Sequence, residues 1–284
     1  MQVKIAALAL AFVTFVKAAA FDTQADAASP SPQGPYDVMW DLVNVSGLVA
    51  GEYEDAWIIY PYNTTDMTFP LLSFAHGKTA GGDALKPSYV NLLTHTASFG
   101  FVVIAPRSCP TNYCANFYKD QLRCIDAVQE GLASPGVNLV DWSRPVGVFG
   151  HSMGGAASVI SASTDGYGIG AAFFLHPYSD HLRGADKILV PAVHATGSAD
   201  NICPSDGVKD GFEANPYHPK VFAEIEGANH LEPNTVGGLW DPFVPRMMMC
   251  HLNNDDEACE VIYGSTSQSL CTTDVLMTEC LIEM

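Results

Sequence analysis

The chain has 284 residues, 48% hydrophobic and 15% charged, with 13 basic against 31 acidic side chains and a formal net charge of −18. It is too apolar for a disordered chain. It is too acidic for nucleic-acid backbones or anionic membrane surfaces, which need the Lys and Arg clusters it lacks. The length is within reach of one large α/β domain.

The first twenty residues read as a separate object. Lys4 precedes an apolar run from Ile5 to Val16, and Ala18-Ala19-Ala20 supplies small residues for cleavage. This is the pattern of a secretory signal over residues 1–20, too short for the ~20 apolar residues of a spanning helix. Residues 21–36 are small, polar and Pro-containing, a mobile lead-in by composition. Eight cysteines, Cys109, Cys114, Cys124, Cys203, Cys250, Cys259, Cys271 and Cys280, include no CxxC pair. An even count behind a signal predicts disulfides rather than zinc, and the last four are expected to staple a C-terminal extension over about residues 250–284. Asn44 and Asn63 each open an N-x-S/T sequon, a glycan acceptor in a eukaryotic secretory pathway.

Eight strands follow in chain order: Val38–Val45, Ala56–Tyr60, Pro70–Ala75, Phe101–Pro106, Pro145–Phe149, Ala171–Leu175, Ile188–His194 and Lys220–Ile225. Most are short continuous apolar runs, as strands buried on both faces should be. Between them, Ser88–Ser98 and Gly154–Ser163 are long enough for helices. In Tyr118–Ala133, Leu122, Ile125, Val128 and Leu132 recur in steps of three and four along one helical face. Strand, crossover helix and strand, repeated, predict a mostly parallel eight-stranded sheet with helices on both faces, in a single domain over residues 21–284.

The strongest chemical signal is Gly150-His151-Ser152-Met153-Gly154, a G-x-S-x-G sequence directly after the fifth strand and before a run of small residues, Gly155-Ala156-Ala157-Ser158, that opens a helix. A strand, a sharp turn and a helix place a serine hydroxyl at an exposed, strained apex near the positive end of the helix. A serine needs a base, and the base needs an orienting acid. In this architecture the chain order is Ser, acid, His. His230, just past the last strand, is the expected base. His176 and His181 should line the site or the surface, His194 should be a core histidine, and His218 lies in a Pro-rich turn. Asp200, in the loop after the seventh strand, is the expected acid, with Asp206 the alternative. An oxyanion hole would use the backbone N–H groups of Met153 and Lys78, with Gly77 letting the chain turn.

At these residues the chain resembles the α/β-hydrolase branch of bacterial-type cutinases, poly(ethylene terephthalate) hydrolases and chlorophyllase-like esterases. The resemblance runs over about residues 70–235, through His76-Gly77, FVVIAPRS (101–108), GHSMGG (150–155), GSADNICP (197–204) and EGANHLEPN (226–234). It implies Ser152 as nucleophile with Asp200 and His230. Tyr178 falls where polyester hydrolases carry an aromatic subsite residue, and Tyr178 and His151 are the expected substrate contacts. Lys78 stands where those enzymes usually have an aromatic, and Met153 where chlorophyllases typically have arginine.

The expectation is a secreted serine carboxylic-ester hydrolase working through an acyl-enzyme, favouring short to medium acyl esters over aromatic polyesters. It would be monomeric, with no metal or cofactor, no nucleic-acid partner and no stable membrane insertion. The competing enzymatic reading is a chlorophyllase or other lipid-ester hydrolase. The competing class is an inactive secreted binding protein on a hydrolase scaffold.

Overall fold

The structure is a computed structural model that describes residues 33–132, 136–273 and 275–284. The expected signal (1–20) and most of the lead-in (21–36) lie outside the described residues. Nine strands are present: β1 (Val38–Asn44), β2 (Asp55–Pro61), β3 (Leu71–Ala75), β4 (Val102–Pro106), β5 (Val146–His151), β6 (Ile169–Leu175), β7 (Ala192–Gly197), β8 (Lys220–Ile225) and β9 (Met277–Glu283). The helices are α1 (Leu85–Ser98), α2 (Phe117–Gln129), α3 (Met153–Ala162), a broken turn α4 (Leu182–Ala185), α5 (Ser205–Ala214), α6 (Phe243–Leu252) and α7 (Asp256–Tyr263).

The strands form one sheet in the order β1-β2-β4-β3-β5-β6-β7-β8-β9. From β4 to β8 every pairing is parallel, and the pairings of β1, β2 and β9 are antiparallel. All residues of β3, β4 and β5 are buried, which is why these segments read as unbroken apolar runs. Successive side chains still go to opposite faces. Phe74, Val103, Phe149 and Phe173 join the core beneath α1 and α6. Ile104, Val148, Ala172 and Phe174 join the core beneath α2 and α3.

Three local departures from the sequence pattern have physical causes. The seventh strand begins at Ala192 rather than Ile188, because Pro191 has no N–H for the ladder. Helix α2 stops at Gln129, where Gly131 takes a left-handed conformation (φ 77°), so Leu132 is exposed rather than on the apolar face. The Cys-rich extension contributes a ninth strand, β9, paired with β8 through Val221↔Ile282 and Phe222↔Leu281. Disulfides join Cys109–Cys114, Cys250–Cys259 and Cys271–Cys280, while Cys124 and Cys203 are buried thiols.

Helix α3 packs tightly against the end of β3. A Cβ on Gly154 would lie 1.9 Å from the Ala75 carbonyl oxygen. Gly154→Ala should therefore lower stability by about 3 kcal/mol or more, or prevent soluble folding. Gly207→Ala in α5, where the new methyl meets one atom at 4.0 Å, should be neutral or mildly stabilising. Urea midpoints of the two variants check this. Equal midpoints would mean that the β3–α3 contact is not a packing constraint.

Candidate active site

Strand β5 ends at His151 and α3 begins at Met153, leaving Ser152 alone at the apex with φ 58° and ψ −119°. A side chain rarely adopts that backbone, and surrounding contacts hold it here. Ser152 N–H donates to Leu175 O (2.9 Å), and Tyr178 N–H donates to Ser152 O (3.0 Å). The approach of strand to helix needs glycine: a Cβ on Gly150 would meet Gly154 O at 2.3 Å.

Loops after β7 and β8 carry the next two groups. Ser152 Oγ lies 2.8 Å from His230 Nε2, and His230 Nδ1 lies 2.8 Å from Asp200 Oδ2. The other oxygen of Asp200 accepts the N–H groups of Ile202 (2.9 Å) and Cys203 (2.8 Å). A carboxylate only accepts, so Nδ1 of His230 carries the proton and Nε2 is free to accept from the Ser152 hydroxyl. All three residues are buried. Burial alone would raise the Asp200 carboxyl. Hydrogen bonds from His176, His230 and Cys203 N–H override that and hold it well below the usual carboxylate range.

The other candidates fall elsewhere. Asp206 is in the first turn of α5. His218 is half-exposed and faces Glu283 at 3.9 Å. His194 is a buried core residue in β7, 3.3 Å from Asn215 Nδ2. His181 is held between the carbonyls of Tyr178 (2.8 Å) and Gly207 (2.6 Å). His176 neither lines the cavity nor reaches the surface. It is fully buried, and its Nδ1 lies 2.8 Å from Asp200 Oδ2.

His151, expected to touch substrate, is turned inward. Its Nε2–H donates to the His230 carbonyl (2.7 Å), and its Nδ1 accepts from the Tyr89 hydroxyl (2.7 Å). Tyr89 Oη in turn accepts Gly77 N–H at 2.9 Å. Burial, then the neighbouring His230 and His176, push the His151 imidazole well below its usual range, so it is neutral. The same contacts show why a side chain at position 77 would be crowded. The Gly77 backbone is not left-handed; a Cβ there would crowd Tyr89 Oη (3.0 Å) and His151 Nδ1 (3.1 Å).

Above Ser152 opens a cavity of about 340 Å³ lined by Lys78, Met153, Tyr113, Tyr178, Ile202 and Leu231, among others. Met153 N–H is the first of α3 and has no carbonyl a turn earlier within the helix. Tyr113 was not legible as a site residue. The Cys109–Cys114 disulfide folds its loop back so that its ring packs on Tyr178 at 5.3 Å. The donor atoms of His176, Asp200 and His230 lie within 4.8 Å of one another, and they are spent on hydrogen bonds among themselves.

A mostly parallel sheet covered by helices on both faces, with a serine at a strand–helix apex, defines the α/β-hydrolase class. The chain belongs to the PET hydrolase-like (PETase) family, whose profile matches residues 22–281. It is 29% identical to cutinase 1 of Thermobifida cellulosilytica over 234 residues, 81% of this chain and 85% of that protein. It is 28% identical to bis(hydroxyethyl) terephthalate hydrolase of Streptomyces coelicolor, over 72% of this chain and 63% of that protein. Chlorophyllase-1 of Citrus sinensis is 29% identical over 58% of this chain and 49% of its own length. Among the described residues no helix is long and apolar enough to cross a membrane.

Two further carboxyls flank the His230 loop. Burial, partly offset by the Leu239 N–H and reinforced by Asp241, pushes Glu232 up from 4.5 to about 7. Burial likewise pushes Asp241 up from 3.8 to about 7. Folding therefore raises the proton affinity of both groups. Their stabilising contribution is fully present at acid pH, falls as pH rises through about 4 to 7, and is constant above that. Glu232→Gln keeps an acceptor for Leu239 N–H and cannot ionise. It should raise Tm at pH 8 by roughly 5 °C and leave it nearly unchanged at pH 4.5. Calorimetry at the two pH values checks this, and an equal shift at both would rule out a buried ionised carboxyl as the cause.

Proposed function

We propose that the protein is a secreted serine carboxylic-ester hydrolase that works through an acyl-enzyme. The unbroken hydrogen-bonded chain from Ser152 Oγ through His230 to Asp200, at the floor of an open cavity, carries this reading. His230 Nε2 takes the Ser152 proton as Oγ attacks the ester carbonyl. Asp200 holds the imidazole tautomer and stabilises the imidazolium. The N–H groups of Met153 and Lys78 receive the developing oxyanion. His230 returns the proton to the leaving alcohol, and water then cleaves the acyl-enzyme by the same route. Export is supported by the signal-like residues 1–20 and by three disulfides, a bond that persists in oxidising compartments. Asn44 and Asn63, both exposed, are the candidate glycan acceptors.

Ser152→Ala should lower ester hydrolysis by at least about 10³-fold. An organophosphonate should label Ser152 and abolish activity in parallel. Label recovered on another residue by peptide mapping, or full activity in Ser152→Ala, would overturn the assignment.

The cavity also favours a substrate class. About 340 Å³ is at the small end of ligand pockets. Tyr178 spends part of its ring on Tyr113, and Lys78 offers a flexible cation where a second flat ring would clamp an aromatic acid. Short and medium aliphatic acyl esters should therefore turn over faster than terephthalate diesters. Lys78→Tyr should shift that ratio several-fold toward the aromatic substrate, an effect of ~1 kcal/mol. An unchanged ratio in competition assays would show that Lys78 does not set acyl preference. A lipid-ester substrate is the second reading, favoured by the likeness to chlorophyllase-1; the same assays with long-chain alcohol esters separate it.

A further inference from the structure

One buried group beside the site has no part in the chemistry just described. His176 follows β6 in a left-handed conformation (φ 45°), with no exposed surface. Its Nδ1 lies 2.8 Å from Asp200 Oδ2, the oxygen that also faces His230. Its Nε2 lies 3.2 Å from the indole Nε1 of Trp240, itself fully buried. An indole N–H only donates, so His176 Nε2 must present its lone pair. The proton of the neutral ring is then on Nδ1, aimed at Asp200. Trp240 thus fixes the tautomer of His176 as Asp200 fixes that of His230.

We propose that His176 is a positioning residue, which with Trp240 locks Asp200 in place and weakens that carboxylate as a partner for the imidazolium of His230. The proposal rests on the assignment of Asp200 and His230 as the acid–base pair. Asp200 has four donors: Ile202 and Cys203 N–H on one oxygen, His176 and His230 on the other. That fills the acceptor sites of a carboxylate and leaves it no freedom to rotate. Two donors on one oxygen compete for the same charge. His230 therefore gains less stabilisation on protonation than an unshared aspartate would give, and stays available as a base at lower pH.

The surrounding groups leave His176 neutral. His151 from the elbow and His230 from the β8 loop have ring centroids 6.2 and 6.0 Å away, and Trp240 presents a donor. Asp200 is the one carboxylate bonded to the His176 ring among the described residues; Glu232 and Asp241 flank the Trp240 loop. Protonating His176 would set two N–H groups against each other at Trp240. Burial also lowers the affinity of the ring for a second proton.

The test is kcat and KM for a soluble p-nitrophenyl butyrate as a function of pH, in the wild type, His176→Phe, His176→Asn and Trp240→Phe, with Ser152→Ala as control. Asparagine tolerates the left-handed backbone and places an N–H near the position of Nδ1. His176→Phe should lower kcat about ten-fold with KM within about two-fold, because His176 does not line the cavity. Its acid limb of kcat/KM should move up by about half a pH unit as Asp200 is released to His230. His176→Asn should recover most of both changes. Trp240→Phe should move the limb in the same direction. An acid limb that stays put or moves down in both His176→Phe and Trp240→Phe, or no recovery in His176→Asn, overturns the proposal. If Ser152→Ala retains activity, the assignment of the site fails instead; if Ser152→Ala is inactive while the limb does not move, only the role of His176 fails.

Discussion

The end of β3 passes so close to the first turn of α3 that the Ala75 carbonyl occupies the space a side chain on Gly154 would need. This contact sets the sharpness of the turn and so the conformation of Ser152. It also sets what can surround the turn. Gly77, two residues after Ala75, is pressed against His151 and Tyr89. The Gly77 N–H, the Tyr89 hydroxyl, the His151 ring and the His230 carbonyl then run as one hydrogen-bonded line. The loop that offers Lys78 and the loop that offers His230 are therefore tied to each other through the interior of the elbow. A side chain that reads as a substrate contact by its place next to the serine acts as a brace.

Burial acts in opposite ways on the carboxyls of this region, and the number of donors decides the outcome. Asp200 has four, enough to overcome desolvation and keep the group ionised. Glu232 has an oxygen with no partner and another carboxyl nearby, so burial wins and its affinity for a proton rises. The three imidazoles around Asp200 do not share its charge equally. His151 and His176 are held neutral by burial and by fixed partners, the Tyr89 hydroxyl and His230 carbonyl for the first and the Trp240 indole for the second. The overall charge of −18 has little influence at this depth, since surface charges are screened over about 8 Å.

Much of this was legible in the chain. Buried parallel strands leave continuous apolar runs, and the G-x-S-x-G sequence stood between such a run and a helix. The motif in its strand–helix context, the loops after the last strands and the expected order Ser, acid, His brought Ser152, Asp200 and His230 forward as candidates. What stayed hidden depends on contacts between segments distant in sequence. Trp240 meets His176 across 64 residues, and no local pattern announces it. Tyr113 reaches the cavity because Cys109 pairs with Cys114, one of many pairings open to eight cysteines. His151 points inward because its ring is held between the Tyr89 hydroxyl and the His230 carbonyl, partners 62 and 79 residues away that the motif does not display. Strand β9 is partly buried at five positions and exposed at two, so it lacks the continuous buried apolar run that marks the inner strands.

That ninth strand bears on the site from its far side. Without it β8 would be an edge, with a row of unpaired backbone groups beneath the loop that carries His230. Pairing with β9 makes β8 an interior strand. The Cys271–Cys280 bridge closes a short loop, a constraint worth about 2–3 kcal/mol in chain entropy, and so holds β9 in register. At the start of β8, Lys220 is buried, donates to the carbonyls of Phe212 (3.0 Å) and Asn215 (2.7 Å), and pairs with Glu283 of β9 at 3.2 Å. Lys209 of α5 meets Glu279 of the same strand at 2.6 Å. The Cys-rich extension is thus built into the platform of His230 and Asp200, since α5, β8 and β9 frame the two loops from which these residues project. A candidate base that must stay within hydrogen-bonding distance of a strained serine needs a floor that does not fray, and here the tail supplies the last strand of that floor.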